Sequence, residues 1–450
     1  MDNKKLFLHT NPLKLFFKAS IPGGISMLMM SVYTIFDAIF VGKFVGSVAL
    51  GGLGLAMPLV IINFSLADLI GVGSSVPIAI LLGKKEDRKA NEYFTYATLL
   101  IIFTGIVVGA LLYFLAPSFM ALVGAKGDLA TYGVRYARVY ALFSPVSTLF
   151  FAVDNFLRIS GKIKTSMYLN IFMSIGTVLV ELLFVVGFGW GIGGAAFGAN
   201  VVLVVCITVG YSFFFTGKLQ LKFVKFKPTR KMLNEIVFNG APAFLTNVAG
   251  RVFSIVMNIM LIKFGGENAV IVYGLLFTIG GIVEQMLYGI LDSLQPAIGY
   301  NYGANENGRV KLLVKYSFIA GAIVSLLFAL LMFIIPKTLA SAFLNDFSLL
   351  EYSAHALRLF GVAYIFKWIS HTIQSFLLAI EKPLPALAIS LSICLVFPLV
   401  AIAILLPLKL DGLWLNYAVA CLLSGAFAVV ILLSMKKKLF VNNRQSNDLE

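Results

Sequence analysis

The sequence is poor in the residues on which soluble chemistry depends. Only 12% of its 450 residues are charged, against ~25% in a soluble domain, and three each are cysteine and histidine. Cys206, Cys394 and Cys421 all fall inside apolar stretches, so neither a disulfide framework nor a metal cluster is expected. No HExxH, GxSxG or P-loop pattern occurs, which removes the common hydrolase and nucleotide-triphosphatase signatures. A membrane-embedded enzyme would need catalytic groups gathered near one interface, and the sequence offers no such cluster. No enzyme activity and no cofactor are expected.

What the chain has instead is apolar length. Hydrophobic residues make up 60% of it. The uncharged runs Tyr93–Ala125, Leu182–Gly217, Tyr316–Pro336, Pro383–Leu408 and Gly412–Met435 each exceed the ~20 residues needed to span a hydrocarbon core. The second is long enough for two spans, broken near Gly187–Gly194. This reading predicts an all-α integral membrane protein with twelve spans, near 14–41, 50–82, 93–117, 132–157, 166–188, 193–216, 235–262, 271–300, 313–336, 351–379, 384–408 and 412–435. The N-terminal segment runs straight into the first span without a small-residue cleavage site, so no cleaved signal peptide is expected.

Charge sets the orientation. Twenty-five of the 35 Lys and Arg residues fall at the termini and in the loops on one side, among them Lys84, Lys85, Arg88, Lys89 and the segment Lys218–Lys231. Cytoplasmic loops carry such an excess, so both termini are expected in the cytoplasm, on the inner face of a plasma membrane. Basic loops beside an anionic leaflet account for the net charge of +15, and no nucleic-acid partner is called for.

The chain also repeats. Displaced by 220 positions, residues 13–90 match their counterparts at 16 of 78 positions, including Pro22 with Pro242, Lys43 with Lys263, Gly46 with Gly266 and Gly83 with Gly303. A displacement of 218 pairs Gly194 with Gly412. The expected organisation is two six-helix lobes, 1–217 and 233–450, the second ending in a short basic cytoplasmic tail, joined by a basic cytoplasmic linker at 218–232. Six spans per half make the repeats parallel, around an axis normal to the membrane. Such bundles enclose a central cavity and, by rocking, expose it to either side, which is a transporter architecture. A channel would more often assemble from shorter chains, so a monomer in contact with lipid and small-molecule substrates is expected.

Within the first span Asp37 follows Pro22 by fifteen residues. A charge inside a bilayer-length segment costs at least ~2.5–3.5 kcal/mol, and such residues face a cavity or a partner. Asp68, Asp154, Glu181, Glu284 and Asp292 are further acids at membrane depth, against two clear intramembrane bases, Arg251 and Lys367. Arg251 is a candidate ion-pair partner for Glu284 or Asp292, and Glu284 with Gln285 and Met286 a candidate cavity lining. Asp154 precedes a basic run that it can neutralise. His371 and Gln374 lie one turn apart, on one helix face. In Gln295–Ala304 (QPAIGYNYGA), Pro296 removes a donor and Asn301 offers an amide to freed backbone groups, which reads as a rigid helix exit or gate.

QPAIGYNYGA, together with Asn155–Lys162 (NFLRISGK), Gly193–Ala196 (GGAA) and DAIFVGKFVGSVALGGLGLAMPL from Asp37, resembles the MATE (multidrug and toxic compound extrusion) transporters over nearly the whole chain. The resemblance implies a two-lobed antiporter that exports organic, typically cationic amphipathic, compounds in exchange for protons or sodium ions. It further implies that Asp37 is the acidic residue of the prokaryotic branch's first helix, and that Pro22 is that helix's kink-forming proline. Glu181 falls at the place of the family's second carboxylate, where Asp is usual, with Asn four positions earlier and Thr eighteen later. Here those positions hold Thr177 and Ala199. A sodium site needs several oxygen ligands, so these departures favour protons, with Asp37 and Glu181 as the titrating groups. Burial disfavours a carboxylate's charged form, the condition for taking up a proton near neutral pH. The alternative from a related architecture is a flippase for lipid-linked oligosaccharide, whose anionic cargo would demand more cavity-facing bases than Arg251 and Lys367.

Overall fold

Long apolar runs satisfy their own backbone hydrogen bonds only as helix once water is removed, and the chain obeys this throughout. The structure, a computed structural model, describes residues 4–217, 219–343 and 349–441. No strand occurs among the described residues. The N-terminal half contains α1 (Pro12–Phe44), α2 (Ser47–Gly83), α3 (Asp87–Leu122), α4 (Gly127–Ser147), α5 (Leu149–Ile159), α6 (Ile163–Leu182) and α7 (Gly191–Phe215). The C-terminal half contains α8 (Arg230–Asp292), α9 (Gln295–Gly303), α10 (Asn307–Ile334), α11 (Pro336–Ser341), α12 (Leu350–Gly361), α13 (Ala363–Ala379), α14 (Pro383–Leu391), α15 (Phe397–Leu405) and α16 (Lys409–Val441). Among the described residues nine helical segments are long and apolar enough to cross a membrane. Two of these, Arg230–Gly303 and Pro383–Met435, run to 74 and 53 residues. Every stretch expected to span is helical apart from breaks of one or two residues.

The repeat is visible in the backbone. A straight helix of 63 residues would be ~95 Å long, three times a hydrocarbon core, and α8 is instead bent at Gly266, φ 65°. Its counterpart 220 positions earlier, Gly46 at φ 116°, separates α1 from α2. Both sit where only glycine turns the chain without a side-chain clash. Several other left-handed residues pair likewise at 220: Lys85 with Asn305, Gly161 with Glu381 and Gly189 with Lys409. The two halves therefore share their turns as well as their helices.

By contacts the chain forms two compact units, one of residues 1–6 and 25–240, the other of 7–24 and 241–450. The core of the first gathers Phe40, Val41, Leu53, Leu59, Met120 and Ile192. That of the second gathers Leu261, Val272, Leu276, Leu357 and Trp414. Large apolar side chains also point outward, such as Phe103, Phe114, Leu330 and Val430, which suits helices whose solvent is lipid. Tight helix crossings recur in both units. In the first, a Cβ on Gly240 would lie 1.8 Å from the Leu69 carbonyl oxygen and one on Gly73 2.0 Å from that of Ile236. In the second, Ser20 donates to the Ile290 carbonyl at 3.2 Å, and a Cβ on Gly23 would collide with Ser293. Ser20 and Gly240, and Gly73 and Ser293, are 220 apart, so one crossing is built twice.

The basic segment between the halves is docked along α3. Backbone N–H groups of Lys222 and Val224 donate to Asn91 Oδ1 and Thr95 Oγ1 at 2.7 and 3.1 Å. Phe223 lies against Phe94, Tyr211 and Phe215. Lys218, at the start of that segment, and the last residues of the basic C-terminal tail, including Arg444, lie outside the described residues.

Candidate functional site

Two polar clusters stand out, one in each unit. The first joins α1 and α6. Asp37 is 6% exposed and Glu181 1% exposed, and their carboxyls lie close enough to interact with each other. Tyr33, one turn before Asp37 on the same helix face, donates from its hydroxyl to Glu181 Oε1 at 3.5 Å. Tyr136 and Tyr140 of α4, with ring centroids 5.7 Å apart, stand within electrostatic reach of both carboxyls. Thr177 is buried with its hydroxyl donating to the Met173 carbonyl at 2.6 Å, within its own helix. Ala199 adds no oxygen beyond its backbone. Among the described residues no group of three or more His, Cys, Asp or Glu side chains is arranged to hold a metal ion.

The second cluster lies in α8, α13 and α16. Lys367 is fully buried, and its ammonium sits 2.8 Å from Glu284 Oε1. It also contacts the Tyr417 hydroxyl and lies 4.6 Å from that ring's centroid. His371, one turn along from Lys367, places Nε2 3.8 Å from the same Glu284 oxygen and packs on Tyr288 with centroids 4.8 Å apart. Glu284 borders a cavity of about 290 Å³ whose lining residues all belong to the second unit. Arg251 lines this cavity too, but Glu284 pairs with Lys367, and Arg251 makes no ion pair or hydrogen bond with any described residue. The reason is geometric: Lys367 and His371 share one face of α13, and that face meets Glu284.

The remaining residues singled out from the sequence serve structure or stand apart. Gln295 donates to Asp292 Oδ1 at 2.9 Å and to Ser375 Oγ at 3.2 Å. Pro296 occupies the first turn of α9, where a missing N–H costs nothing. Asn301 donates to the Phe7 and Ala297 carbonyls and accepts from Arg309, which itself donates to the Phe7 and Thr10 carbonyls. QPAIGYNYGA thus fastens the N-terminal segment. Pro22 lies within an α1 that stays helical through it. Asp68 is half-buried on α2. Asp154 pairs with Arg158 at 2.7 Å and accepts from Asn170 at 2.7 Å, the neutralised helix end expected. Sequence reasoning missed Tyr33, although it stands four residues before Asp37, and it named Lys367 as an intramembrane base without pairing it with Glu284.

The family model described as MatE matches residues 22–183 and 242–402, two stretches that begin 220 residues apart. The multidrug export protein MepA of Staphylococcus aureus (strain MRSA252) is 26% identical over 380 residues, 81% of this chain and 83% of that one. MepA of Staphylococcus saprophyticus is 25% identical over 359 residues, 77% and 78% of the two chains. Among solved structures, MATE in complex with MaL6 superimposes with TM-score 0.91 at 21% identity, covering 97% of this chain and 98% of the other. An outward-facing multidrug resistance MATE transporter of the MOP superfamily gives 0.91 at 20%, covering 97% and 99%. A MOP superfamily transporter from Pyrococcus furiosus, described by the reverse polarity of its binding pocket, gives 0.90 at 21%, covering 97% and 98%.

Proposed function

The chain belongs to the MatE family, and from that premise we propose that it is a secondary active antiporter that exports organic, cationic amphipathic compounds in exchange for protons. The relatives' names supply the export reading, their bacterial origin suits a plasma-membrane setting, and the one-sided Lys/Arg excess supports cytoplasmic termini. The observation that carries the coupling ion is the buried contact between Asp37 and Glu181. Two like charges in an apolar site cannot both be borne cheaply, so a close carboxyl pair holds a proton between them. Glu181 Oε2 receives no hydrogen bond from other described side-chain or backbone donors. The donor that satisfies it is a proton on one of the two carboxyls. At the two positions where the family resemblance implies further oxygen ligands for sodium, the Thr177 hydroxyl is engaged by the Met173 carbonyl and Ala199 has no side-chain oxygen.

In this cycle the outward-facing site takes up a proton and releases its cationic cargo, and proton loss to the cytoplasm restores an anionic site. Flipping a lipid-linked oligosaccharide is not favoured, because of the two intramembrane bases Lys367 is already matched by Glu284. The test is accumulation of a quaternary ammonium dye in cells carrying the wild-type protein or Asp37→Asn, with and without a proton uncoupler. The wild type lowers dye content only while the proton gradient stands. Asp37→Asn, inserted at normal level, loses that effect, and full uncoupler-sensitive export by this variant would remove Asp37 from the mechanism.

A further inference from the structure

Arg251 stands near the middle of the first span of α8, and an intramembrane guanidinium without a partner is expensive. It has no partner among the described residues because Lys367 occupies Glu284. The cavity it lines is otherwise uncharged apart from that matched Glu284. Its walls are aromatic, with Phe253, Tyr273, Phe277 and Trp414, and carry the amides of Asn247 and Gln285. Trp414 is 1% exposed and its indole N–H finds no acceptor among the described residues. With Glu284 paired to Lys367, the unmatched charge on this wall is the guanidinium of Arg251, opposite in sign to the acidic pair of the first unit.

We propose that the cavity of the second unit is a binding site for an aromatic organic anion, with Arg251 holding a carboxylate and the aromatic walls holding the ring system. Planar carboxylates match the guanidinium fork in two parallel hydrogen bonds. The cavity volume is at the lower end of ordinary small-molecule sites and accepts two fused rings with one acid group. The site rests on reading the chain as an exporter of organic compounds, and it widens the cargo class to aromatic acids and to molecules that carry a carboxylate beside a cation. Glu284 does not oppose the anion, since its charge is spent on Lys367 2.8 Å away.

The test is equilibrium binding to the full-length protein in nanodiscs of phosphatidylcholine, with no ion gradient, so that it reads independently of proton coupling. Three isosteric probes are titrated by quenching of protein fluorescence: 1-naphthoate, its neutral amide and 1-naphthylmethylammonium. The wild type binds the naphthoate at least about tenfold more tightly than either analogue, the size expected of one desolvated charged hydrogen-bonded pair. Arg251→Gln abolishes that preference and leaves amide affinity within about threefold, and Arg251→Lys recovers part of it. Equal binding of acid and amide by the wild type overturns the proposal without requiring any variant, as does an unchanged preference in Arg251→Gln. Loss of naphthoate binding when a fifth of the lipid is phosphatidylglycerol would assign the guanidinium to a lipid phosphate and equally overturn it. Failure of the uncoupler-sensitive export assay leaves this binding result standing, and the reverse holds too.

Discussion

Glu284 and Lys367 form an ion pair whose two members are unequally hidden, and that inequality predicts an order of stabilities. Lys367 is 0% exposed and Glu284 36%. Replacing Glu284 by Met strands an ammonium in a site where only the Tyr417 hydroxyl and ring remain to it. Removing one partner of a buried pair costs ~3–5 kcal/mol, and this variant is expected to lose that full amount. Replacing Lys367 by Met strands a carboxylate that still reaches cavity water and keeps most of the buried methylene packing, so the loss is smaller, about 1–3 kcal/mol. The double variant carries two apolar chains of similar length and stays within ~1 kcal/mol of wild type, because a buried pair is often replaceable by hydrophobic groups. The coupling energy then exceeds ~2 kcal/mol. Unfolding of all four proteins by sodium dodecyl sulfate titration in mixed micelles at neutral pH measures it. Glu284→Met no less stable than Lys367→Met, or losses that simply add, would refute the argument from burial.

Two other outcomes follow from the packing. Gly240→Ala places its methyl 1.8 Å from the Leu69 carbonyl oxygen, a backbone atom that cannot rotate away, so it should cost about 1–3 kcal/mol or more in the same titration. Gly250→Ala, where nothing lies within 4 Å, should be neutral or stabilising by up to ~1 kcal/mol, and equal effects at both sites would count against the close crossing. Arg309→Gln removes donors 2.9 and 2.6 Å from the Phe7 and Thr10 carbonyls. Backbone amide exchange across Lys5–Leu15, read by mass spectrometry, should rise at least about tenfold, and unchanged protection would show the segment held by other means.

Much of this was legible because the relevant residues are costly where they stand. Asp37 and Glu181 announce themselves as acids in apolar runs, and the 220-residue repeat survives in Pro, Gly and Lys positions that apolar drift does not produce. What could not be read was which costly residues meet. Glu284, Arg251 and Lys367 are all conspicuous, yet pairing depends on which helix faces turn together, and nothing in a spacing of 83 residues says that α13 rather than the first span of α8 supplies the cation. A signal existed in the four-residue spacing of Lys367 and His371, which places both on one face, just as the spacing of Tyr33 and Asp37 places the tyrosine beside the carboxyl pair. The segment after Lys218 shows the same thing in another period. Its charges read as a solvated linker, but Leu219, Leu221 and Phe223 alternate with polar residues in the two-residue repeat of an extended chain with one buried side. Leu219 is 8% exposed and Leu221 0%, so charge described one face of the strap and the apolar alternation described the face that holds it to α3. Lys367 works by the same logic in reverse. It was read only as an intramembrane base, and its ion pair with Glu284 shows that the cost of burying it is met internally, which leaves Arg251 as the cation in that unit's cavity with no described partner to meet it.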